Sequence, residues 1–203
     1  MKKLQWDKVR VLVANYCNYK CPFCHNEGQG KTTTKERMSL QSFRRLVDIL
    51  SNQPISEFNI SGGEPFLNED IVDMILYIND NLDCDISCAT NLSLIKPEHI
   101  SVLSGTRIKF NIQFPFATAE AFKQSTVTGN LDRILTNIDL LCAENIQVGL
   151  NTVVQSDDFS SISTLIDFAL ERGLPLKLLP QIGLSGSNQF LNHIRPMLDA
   201  IAV

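Results

Sequence analysis

Short apolar segments alternate with amphipathic segments along the chain, and this alternation constrains the fold more than any other feature. The pattern predicts six strands, at 9–14, 57–61, 85–90, 108–114, 146–154 and 176–179. Strands that alternate with helices pair in parallel through right-handed crossovers. Six units are fewer than the eight that close a barrel of about 250 residues. The sequence therefore predicts an α/β fold, an open, partial (β/α)6 barrel of the TIM type, as one domain over residues 1–203.

The segments between the strands carry apolar residues at helical spacing. Ser39 is a candidate N-cap for a helix that ends at Leu50, and Asn68 for a helix with Glu69 and Asp70 in its first turn. Further helices are predicted from about 97, from 131 to about 145, from 162 to 170 and from about 189 to 201. Ligands of such folds bind at the carboxyl ends of the strands, so the loops there form the expected binding rim.

Composition excludes several function classes. The chain of 203 residues has 18 basic and 22 acidic side chains, a formal net charge of -4, which gives no general attraction to nucleic acid or an anionic membrane. No apolar segment approaches bilayer length, and no apolar run follows Lys2 and Lys3 as in a signal peptide. We therefore expect a cytoplasmic protein without a nucleic-acid or membrane partner.

Three of the six cysteines crowd into one loop after the first predicted strand. Cys17, Cys21 and Cys24 have the spacing C-x3-C-x2-C, which lets one loop present three thiolates to three irons of a compact cluster. Three ligands on a four-iron cluster leave one iron open, as in reactive metal centres. The other cysteines lie in apolar surroundings, which favours small buried hydrophobic residues: Cys84, Cys88 and Cys142.

The spacing alone leaves other kinds of site open. A zinc site could use the three cysteines with His25, although a histidine adjacent to Cys24 closes a tetrahedron poorly. An electron-transfer cluster needs a fourth cysteine, and a disulfide with a spare thiol is disfavoured in a reducing compartment. The spacing favours a cluster with an open iron over these alternatives.

A second motif gives the loop a specific interpretation. Phe23 is an aromatic residue before the last cysteine, and Ser61-Gly62-Gly63-Glu64-Pro65 follows the next strand. With the cysteine spacing, these motifs resemble the radical S-adenosylmethionine (SAM) superfamily. The resemblance implies a [4Fe-4S] cluster on the three cysteines and SAM as its ligand, with Phe23 near the adenine. Gly62 and Gly63 would let backbone approach the ligand, and Glu64 would meet its ammonium group.

Later strand ends resemble the superfamily less specifically. Ala89-Thr90-Asn91 is similar to its Thr-Asn-Gly motif, with Leu92 in place of glycine. Gln113 ends the fourth strand, where relatives often carry a polar residue that contacts the nucleoside, and Asn151-Thr152-Val153-Val154 is similar to the fifth strand of the cyclase subgroup. Each could instead be an ordinary strand end. The resemblance thus implies these cofactor-binding residues: Phe23, Gly62, Gly63, Glu64, Asn91, Gln113 and Asn151.

Within the superfamily, the chain most resembles the GTP 3',8-cyclases of molybdenum cofactor biosynthesis. The segments 24–28 and 126–129 are similar, and Arg10 lies seven residues before the first cysteine, where a substrate-binding arginine of that subgroup lies. No cysteine follows Cys142, whereas the cyclases carry three more for a second cluster. The sequence therefore leaves a truncated or degenerate cyclase-like protein, or a non-catalytic iron-sulfur protein, as alternatives.

The resemblance implies an enzyme that cleaves SAM reductively and takes a hydrogen atom from its substrate. The expected partners are a small-molecule or peptide substrate and a reductase or a flavodoxin- or ferredoxin-type electron donor. No separate catalytic acid or base is evident, because His99 and His193 have no motif around them.

Overall fold

A computed structural model describes residues 7–24, 34–154, 160–180 and 194–195. Its six strands are β1 (Lys8–Leu12), β2 (Glu57–Ser61), β3 (Asp85–Thr90), β4 (Ile108–Gln113), β5 (Gln147–Val154) and β6 (Leu176–Pro180). Its helices are α1 (Leu40–Leu50), α2 (Ile71–Asn81), α3 (Pro97–Leu103), α4 (Ala119–Thr126), α5 (Leu131–Ala143) and α6 (Ser160–Glu171). A 3-10 turn at Pro65–Leu67 precedes α2.

The six strands form one sheet in the order β1-β2-β3-β4-β5-β6, and every neighbouring pair is parallel. Helices connect the strands, as the handedness of parallel crossovers requires. In the part of the chain that the structure describes, β1 and β6 each have one neighbour, so the sheet does not close into a ring. The predicted α/β fold with six parallel strands is confirmed.

The two faces of the sheet differ in polarity. Alternate strand residues pack under the helices in one apolar core, which includes Phe43, Phe58, Ile60, Met74, Ile86, Phe110, Ile134 and Leu141. Phe43 of α1 meets Phe58 of β2 edge to face, with ring centroids 5.8 Å apart. The opposite face, here called the inner face, is polar and carries residues such as Arg10, Asn59, Ser87, Asn111 and Asn151. Helices therefore cover one face, and the other is open to ligands.

Most helix boundaries agree with the sequence prediction, but the start of α2 was wrong. Ser39 caps α1 as predicted and accepts a hydrogen bond from the Ser42 amide at 3.2 Å. Asn68 does not cap α2, which begins at Ile71 after Asp70. Its side chain instead donates to the carbonyls of Val13 (3.1 Å) and Met38 (2.9 Å), because the turn at Pro65–Leu67 places it under the chain that follows β1.

Two further differences concern local periodicity and burial. The helix α4 was missed because Phe122 is the only large apolar residue that it buries, so it lacks an apolar stripe. Cys142 was expected to be buried but is exposed, unlike Cys84 and Cys88. The predicted helix at 189–201 lies outside the described residues except for 194–195. None of the described helices is long and apolar enough to span a bilayer.

Candidate active site at the carboxyl ends of the strands

The cysteine loop follows β1 and is closed at its base by the returning chain. Ala14 and Arg37 form an antiparallel bridge, and the Asn15 amide donates to the Glu36 carbonyl at 3.1 Å. The Cys24 amide donates to the Cys21 carbonyl at 3.1 Å, which folds the last part of the loop into a turn. The three cysteines are therefore held in one short loop at the carboxyl end of the first strand.

The three thiols are sheltered from solvent and lie within electrostatic range of one another. Cys21 is buried, and Cys17 and Cys24 are half-buried. Burial raises the pKa of Cys17 to about 11 and that of Cys21 to about 12, and neighbouring thiolate charge contributes to both rises. A buried thiolate needs a compensating positive charge, which bound iron supplies. The loop is thus suited to hold a metal centre.

The three cysteine side chains are not arranged around one point, as the ligands of a single metal ion would be. Among the residues that the structure describes, no group of three or more His, Cys, Asp or Glu side chains converges on a single metal ion. A cluster of several irons does not need such convergence, because each thiolate binds a different iron. His25, the fourth ligand of the zinc alternative, lies outside the described residues.

The Gly62-Gly63 turn packs directly against the cysteine loop. The amides of Gly63 and Glu64 donate to the carbonyls of Ala14 (2.9 Å) and Tyr16 (3.0 Å). A Cβ on Gly62 would overlap the Ala14 carbonyl, and one on Gly63 would overlap the Tyr16 carbonyl. Gly62 also has a φ of +143°, which favours glycine. Glycine is required here to bring the turn against the loop, a reason that the sequence analysis did not foresee.

Glu64 joins this turn to the end of β3. Its carboxyl group is fully buried and accepts hydrogen bonds from the Thr90 hydroxyl (2.7 Å) and from the amides of Asn91 (2.8 Å) and Phe66 (3.0 Å). Burial raises the pKa of Glu64, and these three donors oppose the rise. The charge of Glu64 also raises the pKa of Cys17, so the carboxyl group lies within electrostatic range of the cysteine loop.

Asn91 connects the end of β3 with the cysteine loop. Its side-chain amide donates to the Asn18 side-chain oxygen at 2.8 Å and lies 3.7 Å from the Cys17 sulfur. Its own oxygen accepts from the Ser93 amide (3.0 Å) and hydroxyl (2.6 Å). Leu92, which replaces the glycine of the expected Thr-Asn-Gly motif, takes a φ of +60°, a left-handed conformation that glycine adopts more readily. Among the predicted cofactor residues, contacts thus link Asn91 with Glu64 and Cys17.

The loop after α4 supports the cysteine loop from the other side. The Thr128 hydroxyl donates to the Asn18 carbonyl at 2.9 Å, and the Lys20 amide donates to the Thr126 carbonyl at 3.3 Å. Val127 between them has a φ of +67°, an unusual conformation for a β-branched residue. The likeness of 126–129 to the cyclases gives no sign of this contact, because the preceding helix α4 lacks the apolar stripe that would predict it.

The other predicted positions lie in two places. Phe23 is 7% exposed and belongs to the apolar core, and the structure shows no further contact that defines its role. Gln113 and Asn151 are partners in the β4–β5 register, and the Gln113 side-chain nitrogen is buried without a hydrogen-bond partner among the described residues. His99 stacks on Phe66 with ring centroids 5.8 Å apart, a packing role that agrees with its lack of a motif.

Comparison with known families identifies the chain. Residues 11–169 match the family model of the Radical SAM superfamily, and this range covers most of the 203 residues. The chain belongs to the radical SAM superfamily.

Curated relatives of this radical SAM chain include GTP 3',8-cyclases. That of Clostridium perfringens (strain 13 / Type A) is 27% identical over 187 residues, which cover 91% of this chain and 58% of that protein. The probable GTP 3',8-cyclase of Thermococcus kodakarensis is 29% identical over 172 residues, 84% of this chain and 55% of that protein. The chain thus spans little more than half the length of these relatives. The predicted relation to the cyclase subgroup is confirmed as a distant one.

Solved radical SAM structures share the fold at low sequence identity. Streptococcus suis SuiB bound to S-adenosylmethionine has a TM-score of 0.85 and 16% identity, covering 98% of this chain and 48% of that one. The protein anSMEcpe with bound AdoMet has a TM-score of 0.74 and 16% identity, covering 87% of this chain and 52% of that one. These likenesses confirm the partial barrel and carry no statement about substrate.

The residues of this radical SAM chain fit the cofactors that the superfamily implies. Three sheltered thiols in one loop suit a [4Fe-4S] cluster, and the turn at 62–64 brings a buried carboxyl group near the first of them. The sequence names ten positions that contact the cluster or SAM, and each of these contacts stays a prediction.

Proposed function

We propose that this protein is a radical SAM enzyme whose cluster is held by Cys17, Cys21 and Cys24. The observation that carries the proposal is the docking of the Gly62-Gly63-Glu64 turn on the cysteine loop through the Ala14 and Tyr16 carbonyls. A structural metal loop has no need of a second motif from another strand end. A ligand-binding centre does, because the ligand of the open iron needs a surface beside the cluster.

The cluster and SAM, when bound, supply a 5'-deoxyadenosyl radical that takes a hydrogen atom from the substrate. The chain's own residues orient these groups and exclude water. Glu64 fixes the turn to β3, and its negative charge near Cys17 favours the positively charged ammonium group of SAM there. A carboxylate has about four acceptor positions, of which Glu64 uses three, so one is left for that ammonium group.

Asn91, Gln113 and Asn151 extend the proposed site along the strand ends. The Gln113 nitrogen, buried without a partner in the described part of the chain, is suited to donate to a bound nucleoside. Phe23 contributes apolar surface beside the cluster. The enzyme further requires an electron donor, of the reductase, flavodoxin or ferredoxin type, and a small-molecule or peptide substrate.

A cyclase-like reaction on GTP is the second candidate. The identity of 27% with the Clostridium perfringens GTP 3',8-cyclase over 91% of this chain favours it, as does Arg10 on the inner face, whose Nε donates to Asn59 at 2.9 Å. Incubation of the reduced enzyme with SAM and GTP distinguishes the candidates. Loss of GTP coupled to 5'-deoxyadenosine formation supports the cyclase, and cleavage of SAM without GTP consumption removes it.

Anaerobic reconstitution tests the main proposal. Iron and sulfide are added to the purified chain, and dithionite and SAM follow. We expect cluster absorption in the visible range and release of 5'-deoxyadenosine. Alanine at position 17, 21 or 24 should abolish both, whereas the exposed Cys142→Ala is the matched control and should retain both. Stoichiometric zinc in place of iron, or a loaded cluster that never cleaves SAM, contradicts the proposal.

A further inference from the structure

Two lysines on the inner face of the sheet have side chains that the described residues do not hold in an ion pair. The side chains of Lys109 in β4 and Lys177 in β6 make neither a hydrogen bond nor an ion pair with any residue that the structure describes, although the charge of Lys109 helps to lower the pKa of Glu57. The neighbouring cations differ, because Lys8 pairs with Glu57 at 2.8 Å and Arg10 donates to Asn59 at 2.9 Å. The inner face therefore carries two ammonium groups that no ion pair among the described residues holds, in a space that the carboxyl groups of Glu57 and Asp85 also line.

These lysines line a polar space between the strands. One cavity of about 590 Å³ is lined by Lys109, Asn111, Asn151 and Lys177, among others. A neighbouring cavity of about 330 Å³ shares Asn111, Asn151 and Lys177 and reaches Arg10. Glu57 also lines both cavities, but Lys8 and the Ser87 hydroxyl already hold its carboxylate. The shared part of the space thus contains the side-chain amides of Asn111 and Asn151 and the ammonium group of Lys177, and the ammonium group of Lys109 lines the larger cavity.

Gly149 leaves room for this arrangement. It lies beside Asn111 in the β4–β5 register, two residues before Asn151, which is the register partner of Lys177. A Cβ at Gly149 would lie 3.4 Å from the Asn111 side-chain oxygen, 3.4 Å from Cε of Lys109 and 3.9 Å from its Nζ. The Lys109 ammonium group therefore reaches over the bare surface of β5, the strand that separates it from β6.

We propose that Lys109 and Lys177 bind an anionic group of the substrate, a phosphate or a carboxylate, above Gly149. Ammonium groups meet such oxygens as point charges, and the side-chain amides of Asn111 and Asn151 can donate hydrogen bonds to the same group. A concave site with a few polar groups is the usual form of a small-molecule site, and the two lysines and two amides line such a cavity. The assignment rests on the proposed function in one respect, since it takes the bound anion to be part of the substrate.

Direct binding measurements test this site without turnover. The full chain is titrated calorimetrically with inorganic pyrophosphate and, separately, with succinate, in the presence of saturating SAM. We expect saturable binding of at least one anion, and at least tenfold weaker binding by Lys109→Met and by Lys177→Met. Gly149→Leu keeps both charges but fills the space between them, so it should weaken binding to a similar degree. The anion that binds more tightly decides between phosphate and carboxylate.

Lys123→Met on the exposed face of α4 is the matched control and should bind as the wild type does. The site is overturned if neither anion binds, or if the Lys109 and Lys177 variants bind as tightly as the wild type. An equal loss in Lys123→Met also overturns it. Because the readout is anion binding, the result is distinct from SAM cleavage: a wild-type chain that binds pyrophosphate but never cleaves SAM contradicts only the proposed function.

Discussion

Gly63 lies in backbone contact with Tyr16, so close that a side chain at position 63 would overlap the Tyr16 carbonyl group. The next amide, that of Glu64, donates to the same carbonyl at 3.0 Å. The glycine turn after β2 and the cysteine loop after β1 are therefore one structural unit. A change in either strand end alters the geometry of the other.

Gly63→Ala should separate the turn from the cysteine loop. The added methyl group meets backbone atoms, which cannot rotate away, and overpacking of this kind costs roughly 1–3 kcal/mol. We expect a lower midpoint of thermal unfolding and a lower iron content after reconstitution. Gly149→Ala is the matched control, since its Cβ would make contacts of 3.4 Å or more, and it should keep the wild-type iron content. Full iron loading of Gly63→Ala contradicts the coupling.

Asn91→Ala should alter the cluster more than the stability of the fold. The variant loses the amide that lies 3.7 Å from the Cys17 sulfur and bonds to Asn18 at 2.8 Å. Hydrogen bonds to ligand sulfur raise the reduction potential of iron-sulfur clusters, so we expect a more negative potential. A redox titration monitored by electron paramagnetic resonance measures it. Asn52→Ala, on the exposed surface, should leave the potential unchanged, and an unchanged potential in Asn91→Ala would falsify this contact.

Val127→Gly should stabilise the protein, against the usual effect of glycine. The φ of +67° costs a β-branched residue roughly 1–3 kcal/mol, and glycine loses only about 0.5–1 kcal/mol in chain entropy. We expect the free energy of unfolding in urea to rise by about 1 kcal/mol. Val102→Gly is the control, because Val102 is similarly exposed (52% against 49%) but helical, and it should lower this free energy. Destabilisation by both variants to the same extent would contradict the prediction.

Glu57→Gln should make the protein less sensitive to acid. The bonds from Lys8 and Ser87 lower the pKa of Glu57 below its ordinary value of 4.5. Because the pKa of Glu57 is lower in the folded state, its ionised carboxylate stabilises the fold at pH values above 4.5. This stabilisation is lost as the pH falls through the lowered pKa. The free energy of unfolding should therefore fall less steeply with decreasing pH in the variant. Glu120→Gln on the surface of α4 serves as control, and its free energy of unfolding should change with pH as that of the wild type does. If the free energy of Glu57→Gln falls as steeply with decreasing pH as that of the wild type, the ion pair does not contribute as proposed.

The strands and most helices could be predicted because their patterns are local. The ranges of β2 and β3 agree residue by residue with the apolar runs at 57–61 and 85–90, and Ser39 marks the start of α1. The helix α4 could not be predicted, because only Phe122 among its large side chains turns to the core. The start of α2 failed for another reason: Asn68 bonds to chain segments 30 and 55 residues away, which no local pattern shows.

The site was predicted through its motifs rather than through its contacts. The sequence placed Cys17, Gly63, Glu64 and Asn91 near one another, and the structure joins them by hydrogen bonds and close backbone contacts. The structure adds a second reason for the glycines, because a Cβ at Gly62 or Gly63 would overlap backbone atoms of the cysteine loop, and their contact with a ligand stays a prediction. Lys109 above Gly149 could not be foreseen either, since strands pair across the sheet and the sequence does not give their register.

Asn18 lies between two cysteines of the loop, yet apart from the neighbouring Cys17 the partners of its side chain and carbonyl come from much later in the chain. Its side chain bonds to Asn91 and Ser93, 73 and 75 residues away, and its carbonyl accepts from Thr128, 110 residues away. Contacts of such long separation require the closure of long chain segments, which has an entropic cost and slows folding. During synthesis the cysteines emerge first, but their loop takes its final shape only after β3 and α4 have joined the barrel. The cysteine loop therefore lacks part of its support until late in synthesis, and a nascent chain shorter than about 130 residues lacks the Thr128 contact.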